Sequence, residues 1–163
     1  MQRLTDYGTN IIQNVTAGRG VVLFGPPGTG KDHLMAGLMV AAIREGGFAV
    51  NWQNGMDLFG RVRDAMDTDT RERDIIRDFT APDVLVISDP VPPWGDLTQF
   101  QAAFLFRVID ARYRQKVPTW VTANFTNGDE AGGRLGTQVL DRLKDGALSI
   151  YCNWESYRKA TNT

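Results

Sequence analysis

The sequence predicts an α/β fold in which helices cover a parallel sheet. Short apolar runs rich in Val, Ile and aromatic residues recur along the chain, and most are continuous rather than alternating with polar residues, as expected for strands whose two faces are both buried. Segments with helical periodicity separate these runs, and a glycine-rich stretch directly follows the first of them. Alternating strands and helices require crossover connections, and crossovers join parallel strands.

Five strands and five helices are expected from this pattern. The apolar runs predict strands over residues 20–24, 48–52, 84–88, 118–123 and 147–152. The helical periodicity predicts helices over residues 31–45, 55–67, 70–79, 98–115 and 134–144. A chain of 163 residues is long enough for one core of ordinary size, so we expect a single domain over residues 1–163.

The composition is that of a globular protein, with 42% hydrophobic and 23% charged residues. No apolar run approaches the roughly 20 residues that cross a bilayer, and the first residues lack the apolar centre of a signal peptide. We therefore expect a cytoplasmic protein without membrane contact. A net charge of −1 argues against coating of nucleic acid by bulk electrostatics. The single cysteine, Cys152, lies in an apolar run and is expected to be a buried filler rather than a nucleophile.

The stretch GPPGTGKD, residues 25–32, has the pattern of a phosphate-binding loop. It follows the first strand and opens the first helix, which is the context that the Walker A pattern requires. Its glycines let backbone N–H groups turn toward a phosphate, the helix N-terminus favours anions, and Lys31 reaches the outer phosphates. The alternative is a glycine-rich turn in which Asp32 is an ordinary acid at a helix N-terminus. The candidate nucleotide-binding residues are Gly25, Pro26, Pro27, Gly28, Thr29, Gly30, Lys31, Asp32 and His33.

Two positions depart from the usual magnesium-binding pattern, and the departures are complementary. The position after Lys31 usually carries Ser or Thr, but here it is Asp32. The strand 84–88 usually ends in Asp followed by Glu, whereas here Ser88 is followed by Asp89. We predict an exchange in which Asp32 supplies the carboxylate and Ser88 the hydroxyl, because Mg²⁺ accepts oxygen ligands from either side. The candidate metal residues are Asp32, Ser88 and Asp89.

Asp89 has a second predicted role, as the group that orients or deprotonates the attacking water. Its side chain is shorter than that of Glu, so we expect hydrolysis to be slow. The competing interpretation is that Asp32 repels a triphosphate, and that the protein binds nucleotide weakly without hydrolysing it.

Several segments together resemble a known family. The loop GPPGTGKDHL, the strand DVLVISD and the stretches RQKVPTWVTANFT, LGTQVLDRL and NWESYR, which span about residues 20–158, are similar to the AAA+ domain of bacterial DnaC-type helicase loaders, with the transposition helper IstB as a near relative. The resemblance implies an AAA+ P-loop fold with a five-stranded parallel sheet in the order 5-1-4-3-2, flanked by helices and lacking the small helical lid. It also implies an ATPase that uses ATP/ADP and Mg²⁺, assembles head to tail, contacts single-stranded DNA and has a replicative DNA helicase as its partner.

The resemblance assigns roles to individual residues. Lys31 matches the Walker A lysine, Asn124 the sensor residue that feels the outer phosphate, and Arg142 the arginine finger that completes a neighbouring subunit's site. A guanidinium supplied in trans stabilises charge on the phosphoryl oxygens and can be worth about 10³ or more in rate. The residues alone leave alternatives open, since Arg142 is also typical of a surface cation near a helix end and Asn124 of a turn. Gln138 stands where the family often has a second arginine.

The charged segment 61–79 carries the candidate DNA contacts, which are Arg61, Arg63, Arg71, Arg73 and Arg77. Taken alone, its mixture of Arg with Asp and Glu is more typical of an exposed helix pair. Trp154 and Tyr157 are expected to pack near the last strand rather than to stack on bases.

The sequence leaves three alternative functions open. The first is an IstB-like helper acting on duplex DNA. The second is a catalytically weak, nucleotide-responsive interaction module, and the third is a small metabolite kinase, which the absence of an arginine-rich lid disfavours.

Overall fold

The computed structural model describes residues 1–66 and 72–158. In these ranges five parallel strands form one sheet in the order β2-β3-β4-β1-β5. The strands are β1 Val21–Phe24, β2 Val50–Asn54, β3 Val84–Ser88, β4 Thr119–Ala123 and β5 Leu148–Tyr151. The α/β class and the order 5-1-4-3-2 are confirmed.

Helices connect and flank the strands. They are α1 Gln2–Thr9, α2 Ile11–Thr16, α3 Lys31–Gly46, α4 Gly55–Met66, α5 Glu72–Thr80, α6 Gln99–Gln115, α7 Gly128–Leu135 and α8 Thr137–Lys144. The sequence prediction missed α1 and α2, although Leu4, Tyr7, Ile11 and Val15 are all buried. The single helix predicted over 134–144 was wrong, because Gly136 has a φ of +89° and separates α7 from α8.

Two apolar clusters cover the two faces of the sheet. Alternate residues of each strand point to opposite faces. Accordingly Val22, Leu85 and Val121 pack with side chains of α4 to α8, whereas Leu23 and Trp120 pack with those of α1 to α3. This double burial explains why β1 and most of β3 are continuous apolar runs. Within the described residues, none of the helices has the length and apolarity that crossing a membrane requires.

A fully buried arginine joins the helical layer to the sheet. Arg112 is 0% exposed, and burial lowers the pKa of its guanidinium to about 10. Its nitrogens donate to the Thr119 hydroxyl and to the carbonyls of Phe79, Pro82, Asp83 and Pro118, at 2.7–3.2 Å. These bonds tie α6 to the end of α5 and to the start of β4. They hold the amino-terminal ends of β3 and β4 in place, and the carboxyl ends of these two strands reach the candidate site.

Candidate functional site

The loop between β1 and α3 lies at the carboxyl edge of the sheet. Gly25, Gly28 and Gly30 have φ values of +141°, +83° and +80°, a region that favours glycine. The loop ends where α3 begins at Lys31, so the N-terminus of that helix faces the same space. A cavity of about 800 Å³ opens here, lined by Pro27, Gly28, Thr29, Gly30, Lys31, Asp32, His33, Asp89, Asn124, Trp154, Tyr157 and Arg158, among others.

The Lys31 side chain curls back into the loop. Its Nζ donates to the carbonyls of Gly25 and Pro26 at 2.9 and 2.8 Å, and the residue is 6% exposed. Burial lowers the pKa of the ammonium, and the negative charge of Asp89 acts in the opposite direction. The loop therefore holds a buried cation beside a carboxylate.

Asp32 is held by hydroxyls from two neighbouring strands. Ser88 and Thr122 are register partners at the ends of β3 and β4, so their side chains leave the same face of the sheet. The Ser88 hydroxyl lies 3.1 and 3.0 Å from the two carboxylate oxygens of Asp32, and the Thr122 hydroxyl donates to Oδ1 at 2.5 Å. The structure thus brings together Asp32 and Ser88, the two residues of the predicted exchange. The sequence did not predict a role for Thr122. The one sequence feature that could have indicated it is that Thr122 is a polar residue inside the buried strand TWVTA.

Asp89 and Asn124 also lie in contact. The Asn124 side-chain amide donates to Asp89 Oδ1 at 2.9 Å. Asp89 is half-buried, and its φ of +46° is unusual for a residue other than glycine. Burial first, and then repulsion by Asp32, raise the pKa of the Asp89 carboxyl above its ordinary value. A raised pKa brings a carboxylate closer to the range useful for a general base.

The oxygens of Asp32, Ser88 and Asp89 suit Mg²⁺, which takes part of its ligands from phosphates and water, better than a metal that is bound by protein side chains alone. Within residues 1–66 and 72–158, no group of three or more His, Cys, Asp or Glu side chains is arranged to hold a metal. Mg²⁺ is commonly held by one or two carboxylates together with phosphates and water. Asp32, Ser88 and Asp89 offer such oxygens beside the loop.

The segment 152–158, here called the C-terminal strap, lies against the loop. The backbone N–H of Cys152 donates to the Phe24 carbonyl at 2.7 Å. The Trp154 indole N–H donates to the Thr29 carbonyl at 2.8 Å. The Tyr157 backbone N–H donates to the Gly28 carbonyl at 2.9 Å.

The two aromatic residues of the C-terminal strap differ in burial. Trp154 is partly buried and packs against the cluster of α1 to α3, as the sequence suggested. Tyr157 is 75% exposed, so packing was the wrong expectation for its ring.

Arg142 lies away from the cavity that contains Lys31. Its Nε donates to Asp110 Oδ1 at 2.8 Å, its Nη1 donates to the Gln138 carbonyl at 3.1 Å, and its guanidinium lies 4.8 Å from the centre of the Phe106 ring. Arg114 binds the other oxygen of Asp110 at 2.6 Å. Arg142 lines a separate cavity of about 370 Å³ together with Gly18 and Gly20, which precede β1. Its role as a finger in another subunit therefore stays a prediction.

Of the candidate DNA contacts, Arg71 lies outside the described residues. Arg61 donates to Gln53 Oε1 at 3.3 Å and lies over the Phe79 ring. Arg77 pairs with Asp74 at 3.6 Å, and Arg63 and Arg73 are exposed. Their contact with DNA also stays a prediction.

Comparison with known sequences identifies relatives along most of the chain. The family model described as "IstB-like ATP binding protein" matches residues 9–163. The putative ATP-binding protein of insertion sequence IS5376 from Geobacillus stearothermophilus is 32% identical over 142 residues, which cover 85% of this chain and 55% of that protein. The chain spans about half the length of the curated relatives it matches.

Comparison with solved structures supports the fold. The crystal structure of the DnaC helicase loader aligns with a TM-score of 0.78 at 22% identity and covers 92% of this chain and 86% of that one. The replication initiator DnaA bound to AMPPCP and single-stranded DNA aligns with a TM-score of 0.72 at 14% identity, over 90% of this chain and 44% of that one. The fold is that of AAA+ P-loop domains, and the described residues after β5 contain no lid helix.

Proposed function

Because the chain belongs to the family of IstB-like ATP binding proteins, we propose that it binds and hydrolyses ATP with Mg²⁺ at the loop 25–33. The observation that carries the proposal is the contact of Asp32 with Ser88 and Thr122 next to the buried Lys31. A carboxylate and a hydroxyl therefore lie in contact beside the loop, and a P-loop magnesium site needs one of each, which supports the proposal.

The loop and the helix N-terminus supply the phosphate site. Backbone N–H groups of a glycine-rich loop and the dipole of α3 favour a polyphosphate, and Lys31 adds a positive charge. Asp32 and Ser88 would hold Mg²⁺, which when bound neutralises charge on the phosphate oxygens. Asp89, supported by Asn124, is placed to orient or deprotonate the attacking water.

We propose further that the complete site forms between subunits. Arg142 is held by Asp110 on a different side of the subunit from Lys31, so it would act on a neighbouring copy. Such contacts are heterologous and generate rings or open spirals. In this proposal nucleotide binding promotes assembly, and the assembled form contacts single-stranded DNA and loads a replicative helicase.

The curated relatives favour a second candidate. Relatives of this chain are named as ATP-binding proteins of insertion sequences, so the domain is alternatively a helper ATPase that acts on duplex DNA during transposition. The two candidates differ in DNA preference. Binding to single-stranded and duplex oligonucleotides of equal length separates them by which form is bound more tightly. A second salt concentration identifies contacts to the phosphate backbone, because those contacts weaken as the salt concentration rises.

Nucleotide binding and phosphate release test the proposed chemistry. We expect the wild-type chain to bind a fluorescent ATP analogue with Mg²⁺, and Lys31→Ala to bind it much more weakly. Under conditions that permit assembly, with DNA present, the wild type should release phosphate from ATP faster than Asp89→Ala does. Equal rates for these two proteins would contradict hydrolysis at this site, and an absence of wild-type binding would contradict the proposal as a whole.

Sizing tests the assembly. With a slowly hydrolysed ATP analogue, Mg²⁺ and DNA, the wild type should form a species larger than the monomer and Arg142→Ala should not. Arg114→Ala is the matched control, because it removes the other guanidinium from the same Asp110. Assembly of Arg142→Ala at wild-type protein concentrations would contradict the finger role.

A further inference from the structure

We propose that the C-terminal strap positions the phosphate loop for anion binding, with Trp154 and Tyr157 as the two positioning residues. The inference rests on the proposed nucleotide binding at loop 25–33 and adds a part to that site. The ligand class is a polyphosphate, either free or as part of a nucleotide.

The first argument is the direction of the loop's peptide groups. The strap donates to two successive carbonyls, those of Gly28 and Thr29. In a planar trans peptide the C=O and the following N–H point in opposite directions. Fixing these carbonyls toward the strap therefore turns the next two N–H groups, those of Thr29 and Gly30, to the opposite side of the loop. N–H groups held on one side of a glycine-rich loop are what a P-loop offers to a phosphate.

The second argument is that the loop's glycines admit the strap. A Cβ atom at Gly28 would lie 2.1 Å from the Ser156 hydroxyl oxygen, and one at Gly25 would lie 2.4 Å from the Cys152 carbonyl oxygen. Both distances are far below a van der Waals contact. Gly25 is thus needed for the approach of the strap backbone, and Gly28 leaves room for the Ser156 side chain in the position that it occupies.

The third argument is that the strap is anchored and carries charge. Trp154 packs against the cluster of α1 to α3, so the group that donates to Thr29 is itself fixed. At the other end of the strap, Arg158 lines the same cavity as Lys31 and Asp89. A second cation at this cavity favours a ligand with several negative charges.

Two substitutions each remove one donor. Trp154→Phe removes the indole N–H and keeps an aromatic ring. Tyr157→Pro removes the backbone N–H, and Tyr157→Ala is its matched control, since it loses the same ring but keeps that N–H. Calorimetric titration with inorganic triphosphate and with ATP, each with Mg²⁺, measures the dissociation constants. We expect Trp154→Phe and Tyr157→Pro to bind about fivefold more weakly, the typical effect of one net hydrogen bond, and Tyr157→Ala to stay close to wild type.

A spectroscopic signature tests whether the bond from Trp154 to Thr29 responds to the ligand, and the comparison of Tyr157→Pro with Tyr157→Ala tests positioning. The indole ¹⁵N–¹H resonance of Trp154, identified by its loss in Trp154→Phe, should move when triphosphate is added to the wild type. If circular dichroism shows that a variant does not fold, the wild-type resonance of Trp154 is the remaining test. A chemical shift that moves on addition of triphosphate supports the proposal, and an unchanged chemical shift overturns it.

The outcomes also separate this inference from the proposed function. Wild-type binding together with unchanged affinity in folded Trp154→Phe and Tyr157→Pro overturns the inference alone. Weaker binding in Tyr157→Ala equal to that in Tyr157→Pro overturns the role of the Tyr157 N–H. Failure of the wild type to bind either triphosphate or ATP overturns the proposed function and the inference together.

Discussion

The hydroxyl of Thr122 donates to the carboxylate of Asp32 at 2.5 Å and joins the end of β4 to the first turn of α3. Thr122 is 1% exposed, so this hydroxyl is satisfied inside the protein. Asp32 is itself exposed, and the bonds from Thr122 and Ser88 turn its carboxylate toward the ends of β3 and β4. We therefore treat Thr122 as a group that orients the proposed metal carboxylate.

Removal of this hydroxyl should weaken the response to magnesium. Thr122→Val keeps the shape of the side chain but takes one donor from Asp32. Loss of a group that orients a metal ligand typically costs about 10-fold or more in metal affinity, so the Mg²⁺ concentration that half-saturates nucleotide binding should rise by roughly that factor. In EDTA, where no Mg²⁺ is available, Thr122→Val should bind nucleotide as tightly as the wild type does. Thr122→Ser is the control, and an equal Mg²⁺ response in Thr122→Val and wild type would contradict the role.

Restoring the usual order of residues tests the exchange of carboxylate and hydroxyl. Asp32→Ser alone removes the carboxylate, and Ser88→Asp alone sets a second carboxylate against Asp32, so each should lose Mg²⁺-dependent nucleotide binding. The double variant has one carboxylate and one hydroxyl again and should recover most of it. The coupling energy of this double-mutant cycle is measured from four dissociation constants, those of the wild type, the two single variants and the double variant. Additive losses, without recovery in the double variant, would refute the exchange.

The raised pKa of Asp89 is measurable. Burial and the charge of Asp32 raise it, so Asp32→Asn should lower the Asp89 pKa in a ¹³C-detected carboxyl titration by NMR. The folded state binds this proton more tightly than the unfolded state. Stability contributed by the protonated form is therefore lost as the pH rises from the unfolded pKa, about 3.9, through the raised folded pKa.

Urea unfolding measured across that pH range checks this sign. Asp89→Asn should lose less stability than the wild type as the pH rises, because its side chain does not ionise. An Asp89 pKa at or below its ordinary value in the wild type would contradict the electrostatic description of the site.

Arg112 should be critical for stability. Arg112→Met removes the guanidinium donor from four backbone carbonyls, of which that of Pro118 also accepts from a backbone donor, the Leu85 N–H at 3.4 Å. Each buried unsatisfied acceptor costs about 1–3 kcal/mol, so we expect the free energy of unfolding in urea to fall by roughly 3 kcal/mol or more. Arg112→Lys should rescue only partly, because an ammonium lacks the planar fork.

Arg114→Met, on the same helix with a side chain that is 74% exposed, is the matched control. It should change stability by about 0.5 kcal/mol or less. A loss for Arg112→Met no larger than for Arg114→Met would mean that the buried guanidinium contributes little.

Much of the fold could be predicted from the sequence because burial on both faces makes the central strands largely apolar. Segment 84–88, with four apolar residues before Ser88, shows this clearly. The helices α1 and α2 were missed because Asn10 separates two short amphipathic pieces, and neither resembles a long helix. The helix predicted over 134–144 runs through Gly136, but the positive φ of this glycine separates α7 from α8.

The candidate site was predictable where a local pattern marks it. The loop residues and the pair Asp32 and Ser88 stand at motif positions, so sequence alone could propose their roles. Thr122 and the bond from Trp154 to Thr29 depend on strand register and on the return of the chain after β5. Such contacts join positions about 90 and 125 residues apart, and no local pattern encodes them.

Asp110 binds Arg142 through one carboxylate oxygen and Arg114 through the other. Stranding a half-buried carboxylate without a counter-ion is costly, but here the departure of one guanidinium leaves the second in place. The side chain of Arg142 can therefore leave Asp110 and return to it without leaving that carboxylate unpaired. Asp110 thus keeps an ion pair with Arg114 when Arg142 turns toward another partner.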